Sequence, residues 1–284
     1  MQRSASLVDF KLYKEVIQCL QVVKEDARFH RQLQSNYIRD YAVKIVDAVF
    51  PQGNLLQILR GVKYSGEYEV THPANVAIVA VFIGKWLEMS KQELVELAYA
   101  GLIADIGKTK IRDSLLYKET ELTNEDWELI RTHPTKGFGM IAKNQDISGG
   151  IKMAVLSHHE RHDGSGYPFS IKGDEIHPYA RIIAVADMYD AMTSHRVYSN
   201  KTPIFSAVRE IVDSSFETLD PVVCQTFFRK ICECYIGSTV ILNNNVIGEI
   251  IYVNPLHPHR PLIRHEEHYY DLFKDKSLHI IDMV

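Results

Sequence analysis

Residues 93–111 read ELVELAYAGLIADIGKTKI. Leu94, Leu97, Ala98, Gly101 and Leu102 recur at steps of three and four, the spacing of one helix face. The stripe leads straight into Asp105, which stands among Leu102, Ile103 and Ile106. A carboxylate in such company is costly to bury unless it is paired or holds a metal. The residue before it is Ala104, so this stretch asks what Asp105 is for and what ought to stand beside it.

The neighbouring segments are helical too. TNEDWELIRTH (123–133) opens with Thr123 as N-cap and Asp126 three residues on, close to a capping box, and its helix is expected to run toward His133. GGIKMAVLSHHE (149–160) reads as a helix carrying His158 and His159 near its end. YARIIAVADMYDAMTSH (179–195) is another, with Ile182, Ile183, Ala186 and Tyr189 inward. Upstream, Val76, Val79, Ala80, Ile83 and Leu87 form a stripe, with His72 in the first turn beside Pro73, where proline is tolerated. Residues 1 to 60 are helical as well. Tyr37, Tyr41, Ile45 and Ala48 share a face that Pro51 and Gly53 end. That segment carries no catalytic constellation and reads as a packing or coupling element.

After Gly237 the period changes to two. STVILNNNVIGEIIYV (238–253) reads as a hairpin turning at Asn243, Asn244 and Asn245. The expected fold class is mainly α. A helical bundle over 63–235 follows an N-terminal helical segment, 1–62, and precedes a small β-hairpin appendage, 236–284.

Composition limits the function classes. Of 284 residues, 46% are apolar and 24% charged, a globular balance. The net charge of −4 argues against a nucleic-acid coat or a membrane-surface protein. The four cysteines show no CxxC spacing and no signal peptide precedes them, so a reduced, cytoplasmic protein is expected. The apolar run from Val76 to Ile83 is too short to cross a bilayer.

Histidine is abundant: 13 in all, six of them between His133 and His195. His72, Asp105, His133, His158, His159 and Asp187 are the polar residues that apolar helices carry inward. Nitrogen and carboxylate donors without thiolate suit Fe, Mn, Zn or Ni. Six such groups exceed one ion with open positions. A carboxylate can bridge two ions, and paired metals are a standard device for phosphoester hydrolysis. Taken singly, each histidine is more often a core or cap residue.

HHERHDGSGYPFSIKGDEI (158–176) and ARIIAVADMYDAMTSHRVY (180–198) decide the matter. With EYEVTHPANV, DIGKTKI, LLYKETELTNEDW and THPTKGF in the same order upstream, they closely resemble the HD-GYP family, bacterial cyclic-di-GMP phosphodiesterases of the HD metal-hydrolase superfamily. The resemblance covers about residues 63–230.

It implies two divalent transition metals, Fe, Mn, Ni or Zn. His72 and Asp187 would hold one, His133, His158 and His159 the other, and Asp105 would bridge them. Lys108, placed three residues after Asp105 on the same helix face, would meet the scissile phosphate. Arg181 is implied as a substrate contact preceding the last ligand helix. Gly166, Tyr167 and Pro168 would shape the site and offer a surface to a protein partner. Cyclic-di-GMP is the expected ligand, to be cleaved to pGpG or GMP. No nucleic-acid polymer or membrane is expected, and homo-oligomerisation stays open. Some members hold a third metal through a glutamate four residues before the first histidine; Tyr68 occupies that position here.

The departure is at Ala104. The family takes its name from a His-Asp doublet whose histidine binds the first metal, and here the doublet is Ala104-Asp105. The site of His72, Asp105 and Asp187 is therefore expected to be weakened, and a cyclic-di-GMP-binding sensor stands as the alternative to an enzyme. His162 is a candidate replacement ligand, although its helix should have ended before Gly164. Lys110, Arg112, Arg161, Arg181 and Arg196 supply positive charge for a dianionic ligand. HPHRPLIRHEEH (257–268), with four histidines, reads as a solvated segment.

Overall fold

A computed structural model describes residues 10–29, 31–56, 58, 68–193, 218–254, 257 and 259–283. Among the described residues, the helices of seven residues or more are α1 (Phe10–Arg28), α2 (Ser35–Val49), α3 (Tyr68–Trp86), α4 (Lys91–Ile103), α5 (Asn124–Ile130), α6 (His133–Ile141), α7 (Gly149–Ser157), α8 (Pro178–Thr193) and α9 (Pro221–Tyr235). A 3-10 turn, Ile106–Lys110, follows α4. Expected residues 1–9, 57, 59–67 and 194–217, Arg196 among them, lie outside the described set.

Helix α3 is the axis of the bundle. From Thr71 to Gly84 every residue but Asn75 is buried, because α1, α2, α4, α8 and α9 all pack on it. It is thus apolar all round, as a central helix must be, and not the one-sided stripe the sequence suggested. Pro73 is also not in a first turn: α3 already runs from Tyr68, so Pro73 lies inside the helix. Proline has no N–H to give the carbonyl four residues back. That carbonyl belongs to Glu69, and Lys24 of α1 donates to it instead.

Helix α1 buries Tyr13, Val16, Ile17, Leu20, Val23 and Ala27, a stripe at helical spacing. On α2 the buried face is Ile38, Tyr41, Ala42, Ile45, Val46 and Val49, with Tyr37 and Ala48 only at its flanks. Helix α9 starts cleanly: Asp220 accepts from Val222 N at 2.9 Å and Val223 N at 3.0 Å, and Pro221 fills the first helical position. The four cysteines are free and buried, and burial pushes the Cys19 and Cys232 thiols up to about 12. No helix among the described residues is long and apolar enough to cross a membrane.

The C-terminal region exceeds the expected hairpin. β1 (Thr239–Leu242) and β2 (Ile247–Tyr252) do pair antiparallel, with Val240 opposite Gly248. β3 (Leu262–His265), β4 (His268–Asp271) and β5 (Ile280–Met283) extend them to an antiparallel sheet ordered β4-β3-β2-β1-β5. The histidine-rich stretch read as solvated supplies β3, whose Ile263 is fully buried opposite Ile250. Four-residue strands flanked by charge leave too little alternation to be recognised in sequence.

Candidate metal centre

Five elements converge on Asp105. Helix α4 ends at Ile103, and Ala104 caps it in helical geometry. Asp105 then opens the 3-10 turn, so Asp105 and Lys108 do not share an α-helix as expected. In a 3-10 turn residues three apart eclipse, and the two side chains still meet, Lys108 Nζ lying 2.7 Å from Asp105 Oδ2. The helix opened by Thr123 and Asp126 has its capping box but stops at Ile130. The chain bends there, and His133 begins a new helix, α6. Gly107 lets the turn lie on α6: a Cβ there would be 1.9 Å from the His133 carbonyl oxygen. His158 caps α7, and His72 and Asp187 reach in from α3 and α8.

One half of the centre gathers imidazole nitrogens around a carboxylate oxygen. His133 Nδ1 faces the Ile130 carbonyl at 2.8 Å and His158 Nδ1 faces the Val155 carbonyl at 3.0 Å. An Nδ1–H that donates outward to a carbonyl turns Nε2 inward, the nitrogen that a metal would take. These two Nε2 atoms are 3.3 Å apart and lie 3.2 and 3.6 Å from Asp105 Oδ1, which is buried without a hydrogen-bond donor. His159 completes a set whose donor atoms lie within 4.8 Å of one another. Burial lowers the His133 pKa, with Asp105 only partly offsetting it, and burial holds His159 well below the usual histidine value. Imidazole nitrogens gathered around an unpartnered carboxylate oxygen fit a divalent cation.

The other half is closed by a proton. His72 Nε2 lies 2.9 Å from Asp187 Oδ1 and 3.6 Å from Asp105 Oδ2. Its Nδ1 donates to Asp190 Oδ2 at 2.6 Å, and Tyr68 Oη is 2.9 Å away. Burial would lower the His72 pKa, but Asp187 and Asp190 outweigh it and raise it to about 10. Ala104 lies beside this half, where it lines a cavity of about 10 Å³ with His72, Asp105 and Asp187.

The carboxylates are held ionised. Burial pushes the Asp105 pKa up, yet the Lys108 ammonium beside it helps to hold it well below the ordinary carboxylate value. Burial would likewise lower Lys108, but Asp105 and Glu69 turn its net shift upward. The Gly-Tyr-Pro loop buttresses the histidines. Tyr167 stacks on His159 with centroids 4.8 Å apart, and its N–H donates to the His159 carbonyl at 3.2 Å. Arg131 covers the Tyr167 ring at 5.6 Å. A side chain at Gly166 would come within 2.3 Å of the Arg161 amide nitrogen, so the loop closes this tightly only with glycine there. Pro168 follows through a cis peptide bond.

Two expected residues fall elsewhere. Arg181 is inside α8, not before it, and its Nη1 is engaged by Asp220 at 2.9 Å and Asp174 at 3.2 Å, tying α8 to the start of α9. His162 stays outside the donor cluster. It is half-buried in the loop, where its amide donates to the Thr218 carbonyl at 2.7 Å. Three residues that the sequence reading missed hold His72. Asn75 Nδ2 donates to Asp190 Oδ1 at 2.8 Å, and Tyr13 of α1 donates to Asn75 Oδ1 at 2.8 Å. Asp190 follows Asp187 by three residues on a helix, which was the available signal.

Beyond Lys108 a groove of about 630 Å³ opens. Lys110, Arg112 and Arg161 are not in its lining; its further cations are Lys24 and Arg28 of α1.

Fold and site define a helical domain built around a histidine–aspartate metal centre. The chain belongs to the HD domain family, whose profile matches residues 63–223, and within it to the HD-GYP branch. Divalent-metal binding goes with that family. A cyclic di-GMP phosphodiesterase of Pseudomonas aeruginosa is 31% identical over 226 residues, 80% of this chain and 54% of that protein. A cyclic di-GMP phosphodiesterase of Thermotoga maritima is 38% identical over 160 residues, 56% of this chain and 43% of that one. The chain thus spans about half the length of the curated relatives it matches. An HDG"Y"P protein from Bdellovibrio bacteriovorus shares the fold, with a TM-score of 0.62 at 17% identity over 76% of this chain and 69% of that one.

Proposed function

We propose that this chain is a metal-dependent phosphodiesterase acting on cyclic di-GMP, giving pGpG or GMP. The observation that carries the reading is the cluster of Asp105, His133, His158 and His159, whose Asp105 also lines, with Lys108, the groove beyond it. The relatives named for cyclic di-GMP hydrolysis support the substrate.

His133, His158, His159 and Asp105 would hold one metal and His72, Asp187 and Asp105 a second. Bound there, such ions lower the pKa of water and neutralise phosphate charge. Lys108, kept protonated by Asp105, stands at the groove floor to pair with a phosphate oxygen and stabilise charge as it develops. Asp105 must stay ionised to serve both positions, and the Lys108 ammonium favours that state. Tyr167 fixes the His159 ring from behind.

Ala104 supports a second reading, a cyclic di-GMP sensor with little turnover. Chromatography of products after incubation with excess Mn²⁺ or Fe²⁺ separates the two. Linear product from cyclic di-GMP is expected. Absence of product from both this chain and Ala104→His, with metal bound, would reject the hydrolase.

A further inference from the structure

The groove beyond the metal centre is only partly built from the matched HD domain. Asp105, Lys108 and Thr109 form its floor, but one wall is α1, which lies before residue 63. Gln21, Lys24, Glu25 and Arg28 line it, at steps of three, four and seven along the helix. This polar face flanks the buried stripe, and it lines the groove. Lys24 pins the wall in place through the Glu69 carbonyl that Pro73 leaves free.

Two features of this groove face solvent. Phe29, just past the end of α1, and Tyr117, in the same lining, are large rings 63% and 52% exposed. Arg31 backs the Phe29 ring at 5.4 Å. Exposed aromatic planes beside a phosphate-binding floor are the usual platform for nucleobases. The second feature is Glu25, an exposed carboxylate lining a groove meant for a dianion. It repels phosphate, but it matches the paired N1–H and 2-amino donors of guanine. Adenine has no amino group at that position and presents an acceptor at N1. The groove volume of about 630 Å³ is that of a nucleotide-sized site.

We infer that α1 is the base-recognition wall of the substrate groove, with Phe29 and Tyr117 stacking on the purines and Glu25 reading the guanine edge. The inference rests on the cyclic-dinucleotide reading above and deepens it: guanine selectivity comes from the N-terminal helix, outside the matched HD domain. Arg28 pairs with Asp113 at 2.6 Å with both side chains about half exposed, and so can turn to a phosphate at little cost.

Calorimetry on the full chain loaded with Mn²⁺, using cyclic di-GMP and cyclic di-AMP, tests it. Phe29→Ala and Tyr117→Ala should each weaken cyclic di-GMP binding about tenfold or more, the scale of a lost base stack. Glu25→Gln should weaken cyclic di-GMP about tenfold while cyclic di-AMP binds as well as before or better, since a charge-assisted hydrogen bond is lost only with guanine. The three positions are exposed, and circular dichroism checks that each variant is folded. Phe29→Tyr should keep affinity. Binding of cyclic di-GMP by the parent with undiminished binding by all three variants would overturn the wall and leave the substrate reading standing. Equal losses of both dinucleotides in Glu25→Gln would overturn the edge contact. A metal-loaded parent that does not bind cyclic di-GMP overturns the substrate reading, and this inference with it.

Discussion

His133 and His158 point their Nε2 atoms at each other across 3.3 Å, with Asp105 Oδ1 beside both, while each ring's Nδ1 faces outward to a backbone carbonyl. Bringing lone pairs together in a buried place costs free energy unless a cation sits between them. The arrangement favours a cation in this half of the centre, independently of what Ala104 does to the other.

The first expectation is metal content. Elemental analysis after mild purification should find about one tightly held transition metal per chain, with a second position partly filled. His158→Ala should lose the tight ion. A metal-free parent would contradict the assignment.

Restoring the histidine is the second. Ala104 faces His72, Asp105 and Asp187 across a cavity of about 10 Å³, room for about one water. An imidazole supplied there by Ala104→His should raise turnover of cyclic di-GMP about a hundredfold, the upper end of ligand-shell effects. Equal rates in the two proteins would show that residue 104 is not the defect.

A third concerns pH in the chelator-treated protein. His72 has its pKa raised to about 10 in the folded state by Asp187 and Asp190, against the loss from burial. Its contribution to stability is fully present below the unfolded histidine value of about 6.5 and is lost as pH rises through about 10. Thermal melts of the apo protein should therefore weaken from pH 6.5 to pH 10. The stabilisation gained on adding Mn²⁺ should grow over the same range, because the metal displaces that proton. A flat apo profile would count against the His72 proton.

Asp190 gives a fourth. It touches His72 but not the metal positions, so Asp190→Asn should lower affinity at the His72 site by about tenfold to a hundredfold while the tight ion stays. Titration of the second metal, followed calorimetrically, would measure it. Unchanged affinity would remove Asp190 from the role of orienting His72.

Arg181 supplies the last. Its pairing with the buried Asp220 makes it a brace between α8 and α9. Arg181→Met should cost about 1–3 kcal/mol of stability in urea unfolding and leave metal content and cyclic di-GMP affinity unchanged. A loss of affinity without a loss of stability would return it to the substrate site.

Donor identities were legible in the sequence because ligand chemistry is restricted to few residue types, and His72, Asp105, His133, His158, His159 and Asp187 stand out against apolar helices. The capping box at Thr123 and Asp126 and the end of α2 before Pro51 were legible for a like reason: they depend on residues a few positions apart. The pairing of Arg181 with Asp220 was not legible, because a motif position does not reveal which carboxylate a guanidinium meets. The sheet was underestimated because β3 and β4 are defined by their partners more than by their own alternation.

The sequence by itself determined the helical class, the six candidate donors, their order and the alanine at 104. Only the tertiary structure decided how they divide, with a histidine-rich half poised for a cation and a half closed by the His72 proton. It also decided that α1 walls the groove and reaches His72 through Tyr13, Asn75 and Asp190. Those links join residues 62, 115 and 118 positions apart. Hydrogen-bond partners at such separations are chosen by how the helices pack, and local periodicity carries no record of that choice.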